Sequence, residues 1–231
     1  MMRDRLRATL LGPLFAALCS VAAAAVPGNA VAQSAPAGSA NAQPVILVLG
    51  DSLSAEYGLP RGTGWVQLLS ERLRGNGANY TVVNASISGE TTSGGRTRLP
   101  ALLKQHRPAI VIIELGANDG LRGLPLPTMR DNLTAMVKAS QAAGATVLLV
   151  GIRVPPNYGR DYAERFLQVF ADVARDNKTA LAPFLLDGFA DAQDMFQADR
   201  IHPAEKAQSR MLVNVWPHLQ PLLTARAAKP R

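Results

Sequence analysis

The sequence predicts an α/β fold, a three-layer α/β/α sandwich around a five-stranded parallel sheet, and three observations carry that expectation. Continuous apolar, β-branched runs recur five times, the pattern of strands buried on both faces. Stretches with apolar residues at helical spacing lie between them. The chain has 231 residues, 48% hydrophobic side chains and no internal period, which suits one well-cored domain. Strand and helix in alternation place helices on both faces of a parallel sheet.

The first strand is the run 45–49, closed by Gly50; runs at 80–83, 109–115, 146–152 and 181–185 supply the others. Trp65, Leu68, Leu69 and Leu73 share the face of a first helix. Met129, Leu133, Met136 and Val137 form a second stripe, with Thr128 and Asp131 reading as a capping box and Gly144 as its stop. Tyr162, Phe166, Val169, Phe170 and Val173 make a third. Ala207, Met211, Leu212, Val215 and Leu219 mark a last helix, expected to start at Pro203 and to kink at Pro217.

The N-terminus reads as a targeting segment. Arg3, Arg5 and Arg7 precede an uncharged Ala/Leu-rich stretch, 8–26, and Ala30-Val31-Ala32 offers a cleavage site. Cleavage is expected after Ala32, leaving a flexible linker over 33–43, a domain over 44–223 and a frayed tail over 224–231. An uncleaved anchor is the alternative, since the run is long enough to span a bilayer, but Gly12 and Pro13 interrupt it. Leu18 before Cys19 disfavours a lipoprotein anchor. The expected location is therefore periplasmic or secreted.

Processing would remove Cys19, the only cysteine, and with it any disulfide, cysteine-based metal site or thiol nucleophile. The histidines are His106, His202 and His218, at spacings that suggest no three-His metal site. Neither metal nor cofactor is expected. Losing three arginines and Asp4 lowers the net charge from +7 to +5. No basic run with interleaved aromatics points to nucleic acid. The excess reads as a solvated, Arg-rich exterior, with transient contact to anionic lipid surfaces as the alternative, and a monomer is expected.

In doubly wound sheets the ligand site lies beyond the C-terminal ends of the strands, where strand order reverses. Polar blocks stand at those ends: Gly50-Asp51-Ser52-Leu53-Ser54, Asn84-Ala85-Ser86-Ile87-Ser88-Gly89-Glu90 and Gly116-Ala117-Asn118-Asp119. A fourth, Asp199-Arg200-Ile201-His202-Pro203, precedes the last helix. Singly, each residue has a structural reading at least as good. Ser52 and Asp199 could cap helices, Gly89 and Asn118 could serve turns, and His202 could be an exposed loop residue.

Together, these four blocks resemble the SGNH subgroup of the GDSL hydrolases, with Ser52, Gly89, Asn118 and His202 at the four named positions. The similarity is stronger still to the bacterial periplasmic group of multifunctional acyl-CoA thioesterases, lysophospholipases and arylesterases. The segments 84–89, 98–106, 120–123 and 156–160 carry it, and the resemblance spans 44–223. It implies a flavodoxin-like sandwich and a serine hydrolase acting on esters and thioesters of short-to-medium acyl chains. The implied substrates are aryl esters, lysophospholipids and acyl-CoA.

The chemistry agrees with those roles. Ser52 needs a base, which His202 can be, and Asp199 can hold the imidazole in one tautomer. The oxyanion needs fixed donors, for which the backbone N–H groups of Ser52 and Gly89 and the amide of Asn118 suffice. Asp51 and Asp119 are expected to bond nearby backbone in their turns. The segment 120–126, with Gly120, Leu121 and Arg122, is apolar enough to line an acyl groove, as are Val154 and Pro155. His106, in a loop, and His218 read as surface residues.

Rival readings exist. The segment 88–95 could cradle a phosphate in a flavodoxin-like binding module, although no P-loop or dinucleotide fingerprint is present. The G-x-S-x-G elbow of α/β-hydrolases is also absent. A carbohydrate deacetylase would use the same site on acetyl groups, and a non-catalytic lipid-binding module would need the catalytic set to be coincidence.

Overall fold

The computed structural model describes residues 43–227. The expected signal peptide, Cys19 and nearly all of the expected linker lie outside the described residues. Five strands form one sheet: β1 (Val45–Gly50), β2 (Thr81–Asn84), β3 (Ile110–Glu114), β4 (Thr146–Val150) and β5 (Ala180–Ala182). All pairings are parallel, in the order β2-β1-β3-β4-β5. Ile46, Leu47, Val48, Leu49 and every residue of β3 from Ile110 to Ile113 are fully buried, which is why these strands read as unbroken apolar runs. The last strand is shorter than its apolar run, because Pro183 has no N–H to continue the ladder.

The helices are α1 (Trp65–Gly75), α2 (Thr92–His106), α3 (Ala117–Leu121), α4 (Leu126–Ala142), α5 (Arg160–Asp176) and α6 (Gln208–Ala227). α1 packs on α6, while α2, α4 and α5 pack in succession. The apolar stripes point inward: Trp65, Leu69 and Leu73, Met129 and Leu133, Phe166 and Phe170, and Met211 and Val215 all join the core.

Several boundaries differ from expectation. α4 opens at Leu126 behind Pro125, so Thr128 lies inside the first turn and does not cap it. Proline presets the helical φ there and needs no donor. Gly144, at φ +83°, is the left-handed stop expected of it. Pro203 does not open the last helix. It forms an antiparallel bridge with Phe196, and a 3-10 turn, Glu205–Ala207, leads into α6. That helix runs through Pro217 and on to Ala227, into the stretch expected to fray, where no glycine or proline interrupts it before Pro230. α2 lies where the sequence offers no helical period; Thr91 caps it by accepting from Gly94 N at 3.4 Å, so the segment 88–95 is a loop only as far as Thr91 and helical from Thr92.

Strand order reverses between β1 and β3. Their C-terminal ends pair in register, Gly50 opposite Glu114, and the segments that follow diverge from this point.

Candidate active site

β1 delivers Asp51 and Ser52 into a tight turn. Asp51 Oδ1 accepts from Leu53 N at 3.0 Å, and Asp51 O accepts from Ser54 N and Ala55 N. Ser52 Oγ lies 3.0 Å from His202 Nε2. Asp199 Oδ2 lies 2.7 Å from His202 Nδ1, and Asp199 Oδ1 accepts from Ile201 N at 2.9 Å and His202 N at 3.0 Å. One turn therefore carries acid and imidazole together, with Arg200 in the left-handed region at φ +58° and Gln197 N donating to His202 O at 2.8 Å.

Burial pushes the Asp199 carboxyl upward, but the bonds donated by the backbone of His202 and Ile201 and by the imidazole override it, holding it at about 2. As a carboxylate it can only accept. A neutral His202 then keeps its hydrogen on Nδ1 and turns the Nε2 lone pair to the Ser52 hydroxyl. Such an imidazole can take the hydroxyl proton and return it. Tyr57 lays its ring against His202, centroids 4.4 Å apart.

The segment after β2 forms the opposite wall. Ile87 N donates to Gly50 O at 3.0 Å, and Asn84 Nδ2 donates to Ser54 O at 2.7 Å, fastening it to the Ser52 turn. Gly89 sits at φ +79°, a conformation a side chain would strain. Arg98 ties the segment from below, pairing through Nε with Glu90 Oε2 at 2.5 Å and donating through Nη1 to Ala85 O at 3.0 Å. Among the described residues, no protein acceptor takes the backbone N–H of Ser52 or of Gly89.

Asn118, in α3, closes the third side. Its Nδ2 donates to Glu90 O at 2.9 Å and to Asp51 Oδ2 at 3.2 Å, so one amide joins the segments after β1, β2 and β3. Buried Asp119 does not bond its own turn, as expected of it, but reaches across to α2. It accepts from Thr92 N at 2.8 Å and Thr92 Oγ at 2.5 Å, anchoring α3 on the first turn of α2.

Beneath the Ser52 turn lie two buried carboxyl groups. Desolvation raises Asp51 from 3.8 to about 6, against the lowering effect of Leu53 N, His202 and Asn118. Burial and the nearby Asp51 push Glu114 well above the usual carboxylate range. Glu114 Oε2 accepts from Ser54 Oγ at 2.7 Å, and Ser54 Oγ in turn accepts from Trp65 Nε1 at 3.1 Å. Sequence reasoning missed Glu114, Ser54, Tyr57, Arg98 and Glu90 as site groups. Glu114 did leave a signal, as the one acid inside an apolar strand run.

The residues expected to line an acyl groove divide. Gly120 and Val154 are buried, and a Cβ on Gly120 would lie 2.5 Å from Val154 Cγ1 and 2.7 Å from Phe166 Cε2. These two are packing partners under the site, because α3 must lie close on α5. Leu121 is half-buried and Pro155 exposed, and Arg122 donates from Nη2 to Gly89 O at 3.0 Å. His106 closes α2 instead of lying in a loop; at 1.5 Å per residue it is roughly 20 Å from Thr92. His218 lies half-buried on α6.

A parallel sheet in this order with Ser, His and Asp aligned at its crossover defines a class, and the chain belongs to it: the GDSL-like lipase/acylhydrolase family of serine hydrolases, whose model matches residues 48–210. The protein is an ester hydrolase. It is 56% identical over 178 residues to Esterase TesA of Pseudomonas aeruginosa, covering 77% of this chain and 89% of that one. It is 41% identical over 184 residues to Thioesterase 1/protease 1/lysophospholipase L1 of Escherichia coli K12, covering 80% and 87%. Among solved structures, the psychrotrophic esterase EstA from Pseudoalteromonas sp., inhibited by monoethylphosphonate, superposes with a TM-score of 0.75 at 44% identity, over 79% of this chain and all of that one.

Proposed function

We propose that the protein hydrolyses carboxylic esters and thioesters of short-to-medium acyl chains through an acyl-enzyme on Ser52. The observation that carries this is the continuous line from Asp199 to His202 to Ser52, with contacts of 2.7 and 3.0 Å. Ser52 Oγ attacks the acyl carbon as its proton passes to His202 Nε2. The oxyanion is received by the backbone N–H groups of Ser52 and Gly89 and by Asn118 Nδ2, whose longer contact, to Asp51 at 3.2 Å, is the one exchanged. Collapse expels the alcohol or thiol, which leaves with the proton from Nε2. Water then attacks the acyl carbon while Nε2 takes its proton, the acid departs, and the proton returns to Ser52 Oγ. Asp199 stays ionised and stabilises the imidazolium.

Aryl esters, lysophospholipids and acyl-CoA thioesters are the substrate classes that the relatives' names suggest. The N-terminal pattern supports export with cleavage after Ala32, and hence a periplasmic site of action. The test is a p-nitrophenyl ester series from acetate to palmitate with Ser52→Ala as the blank. A Ser52-dependent optimum at middle chain lengths is expected. Activity on acetate alone would assign a deacetylase, and activity surviving in Ser52→Ala would remove Ser52 from the mechanism. Phosphonate inhibitors, which the Pseudoalteromonas relative binds, should block the wild type stoichiometrically.

A further inference from the structure

Among the described residues, five large hydrophobic side chains are exposed: Tyr57, Ile87, Leu124, Ile201 and Val213. They are not scattered. Four sit in the segments that build the candidate active site, and only Val213, on α6, lies apart. Tyr57 lies tilted against His202, and Ile201 immediately precedes it. Ile87 is fastened to the end of β1 through Gly50 O and stands two residues before Gly89. Leu124 follows Arg122, whose guanidinium reaches Gly89 O at 3.0 Å. The four therefore stand in the segments that surround Ser52.

The same segments present a lopsided charge. Arg61, Arg122 and Arg200 are exposed. The acids of those segments are each hydrogen-bonded or paired within the protein, although the Asp199 side chain stays 38% exposed. Glu56 accepts from the N–H groups of Gly62 and Gly64, Glu90 pairs with Arg98, and Asp199 holds His202. Asp51 and Asp119 are buried. What these segments expose is apolar tips and three arginines against one exposed acid, Asp199, a combination that complements an anionic bilayer surface: apolar side chains enter the acyl boundary while cations meet phosphate.

We infer that these segments dock the enzyme on anionic phospholipid bilayers, with Ser52 turned to the lipid. The inference rests on the reading of the site as an acyl-ester hydrolase, since docking would let a single-chain lipid ester pass from the leaflet to Ser52 without crossing water. Each arginine near an anionic leaflet strengthens partitioning roughly fivefold, and the effect fades as salt shortens the Debye length. Exposed apolar tips scattered singly over a surface would carry no such meaning; here four of the five stand in the segments around Ser52.

The test uses protein purified after export and carrying Ser52→Ala, so that no lipid is consumed. Flotation is measured with vesicles of phosphatidylcholine alone and with about one-third phosphatidylglycerol. Binding should appear with the anionic vesicles and weaken steeply with salt. The double change Ile87→Asn and Ile201→Asn should lower the partition coefficient by at least roughly tenfold, while Val213→Asn leaves it unchanged. An unaltered melting temperature shows that the variants fold. Absence of binding to anionic vesicles, or equal loss from Val213→Asn and the double variant, would overturn the docking inference. Turnover of soluble p-nitrophenyl esters by the wild type reports on the catalytic reading separately, so the two fail independently.

Discussion

Replacing Asp51 by Asn should make the protein more stable at neutral pH and less stable in acid. Asp51 is fully buried, and its folded pKa is raised from 3.8 to about 6, first by desolvation. A raised carboxyl binds more protons folded than unfolded between those values. Its contribution is therefore fully present below pH 4 and is lost as pH rises through 6. At about 1.4 kcal/mol per pH unit, the cost of ionising Asp51 in the folded protein at pH 7 is about 3 kcal/mol. Asn removes that cost. Its Oδ1 can keep the Leu53 N–H, but its NH₂ then faces the Asn118 amide, and an acceptor is lost, which costs about 1 kcal/mol. The net is about +2 kcal/mol at pH 7 and about −1 kcal/mol at pH 4, where Asp51 is protonated in the wild type too. For a domain of this size, about 2–4 °C accompanies each kcal/mol. Thermal unfolding of both proteins across pH 4–8 should show the melting curves crossing between pH 4 and 6. A difference that does not change with pH, or a variant no more stable at pH 7, would refute the account. Catalysis should suffer meanwhile, because Asp51 Oδ2 helps aim the Asn118 amide.

Further outcomes follow from the same contacts. Asn118→Ala should lower kcat by about 10²–10³ with little change in KM, since the oxyanion forms only in the transition state; a change confined to KM in steady-state kinetics would refute the donor role. Arg98→Gln removes both the Glu90 pair and the bond to Ala85 O, so kcat should fall by about tenfold with KM nearly constant, matching one or two lost hydrogen bonds behind Gly89. Arg98→Lys, keeping the charge without the fork, should recover part of it, and equal loss in both would point to a general structural defect. Gly120→Ala forces a methyl against Val154 and Phe166, and urea unfolding should show a loss of about 1–3 kcal/mol.

The central strands β1, β3 and β4 were legible because they are buried on both faces and so become uninterrupted apolar runs, whereas the edge strands β2 and β5 are only partly buried and gave shorter ones. The helices with wide apolar stripes, α1, α4, α5 and α6, announced themselves by period. α2 did not. Its first turns hold Gly94 and Gly95, and Pro100 interrupts the middle, all poor local signals for a helix. Tertiary packing overrides them, because Gly95 lets the helix lie close against Leu115 and Leu49. The capping box expected at Thr128 failed for a related reason, since the prolines before it had already set the chain's direction.

For the site, the sequence by itself determined which chemical groups exist and which stand at strand ends, because a parallel sheet must present its strand-end residues at one edge. Ser52, Gly89 and Asn118 stood out as candidates on that ground, while Asp199 and His202, which follow no strand, were singled out by the block before the last helix and by the resemblance. The tertiary structure decided how they are held. Nothing local in the sequence connects Asn118 to Asp51 and Glu90, Asp119 to Thr92, or Ser54 to Glu114. These bonds join residues 27 to 67 positions apart, and they form only when the strand order folds the segments over one another. The same holds for Gly120, read as a groove residue until the approach of Val154 and Phe166 showed it to be a packing contact. Side-chain type is written in the chain, but burial and partner depend on what the rest of the fold brings alongside, and on these the shifted carboxyls of Asp51 and Glu114 depend entirely.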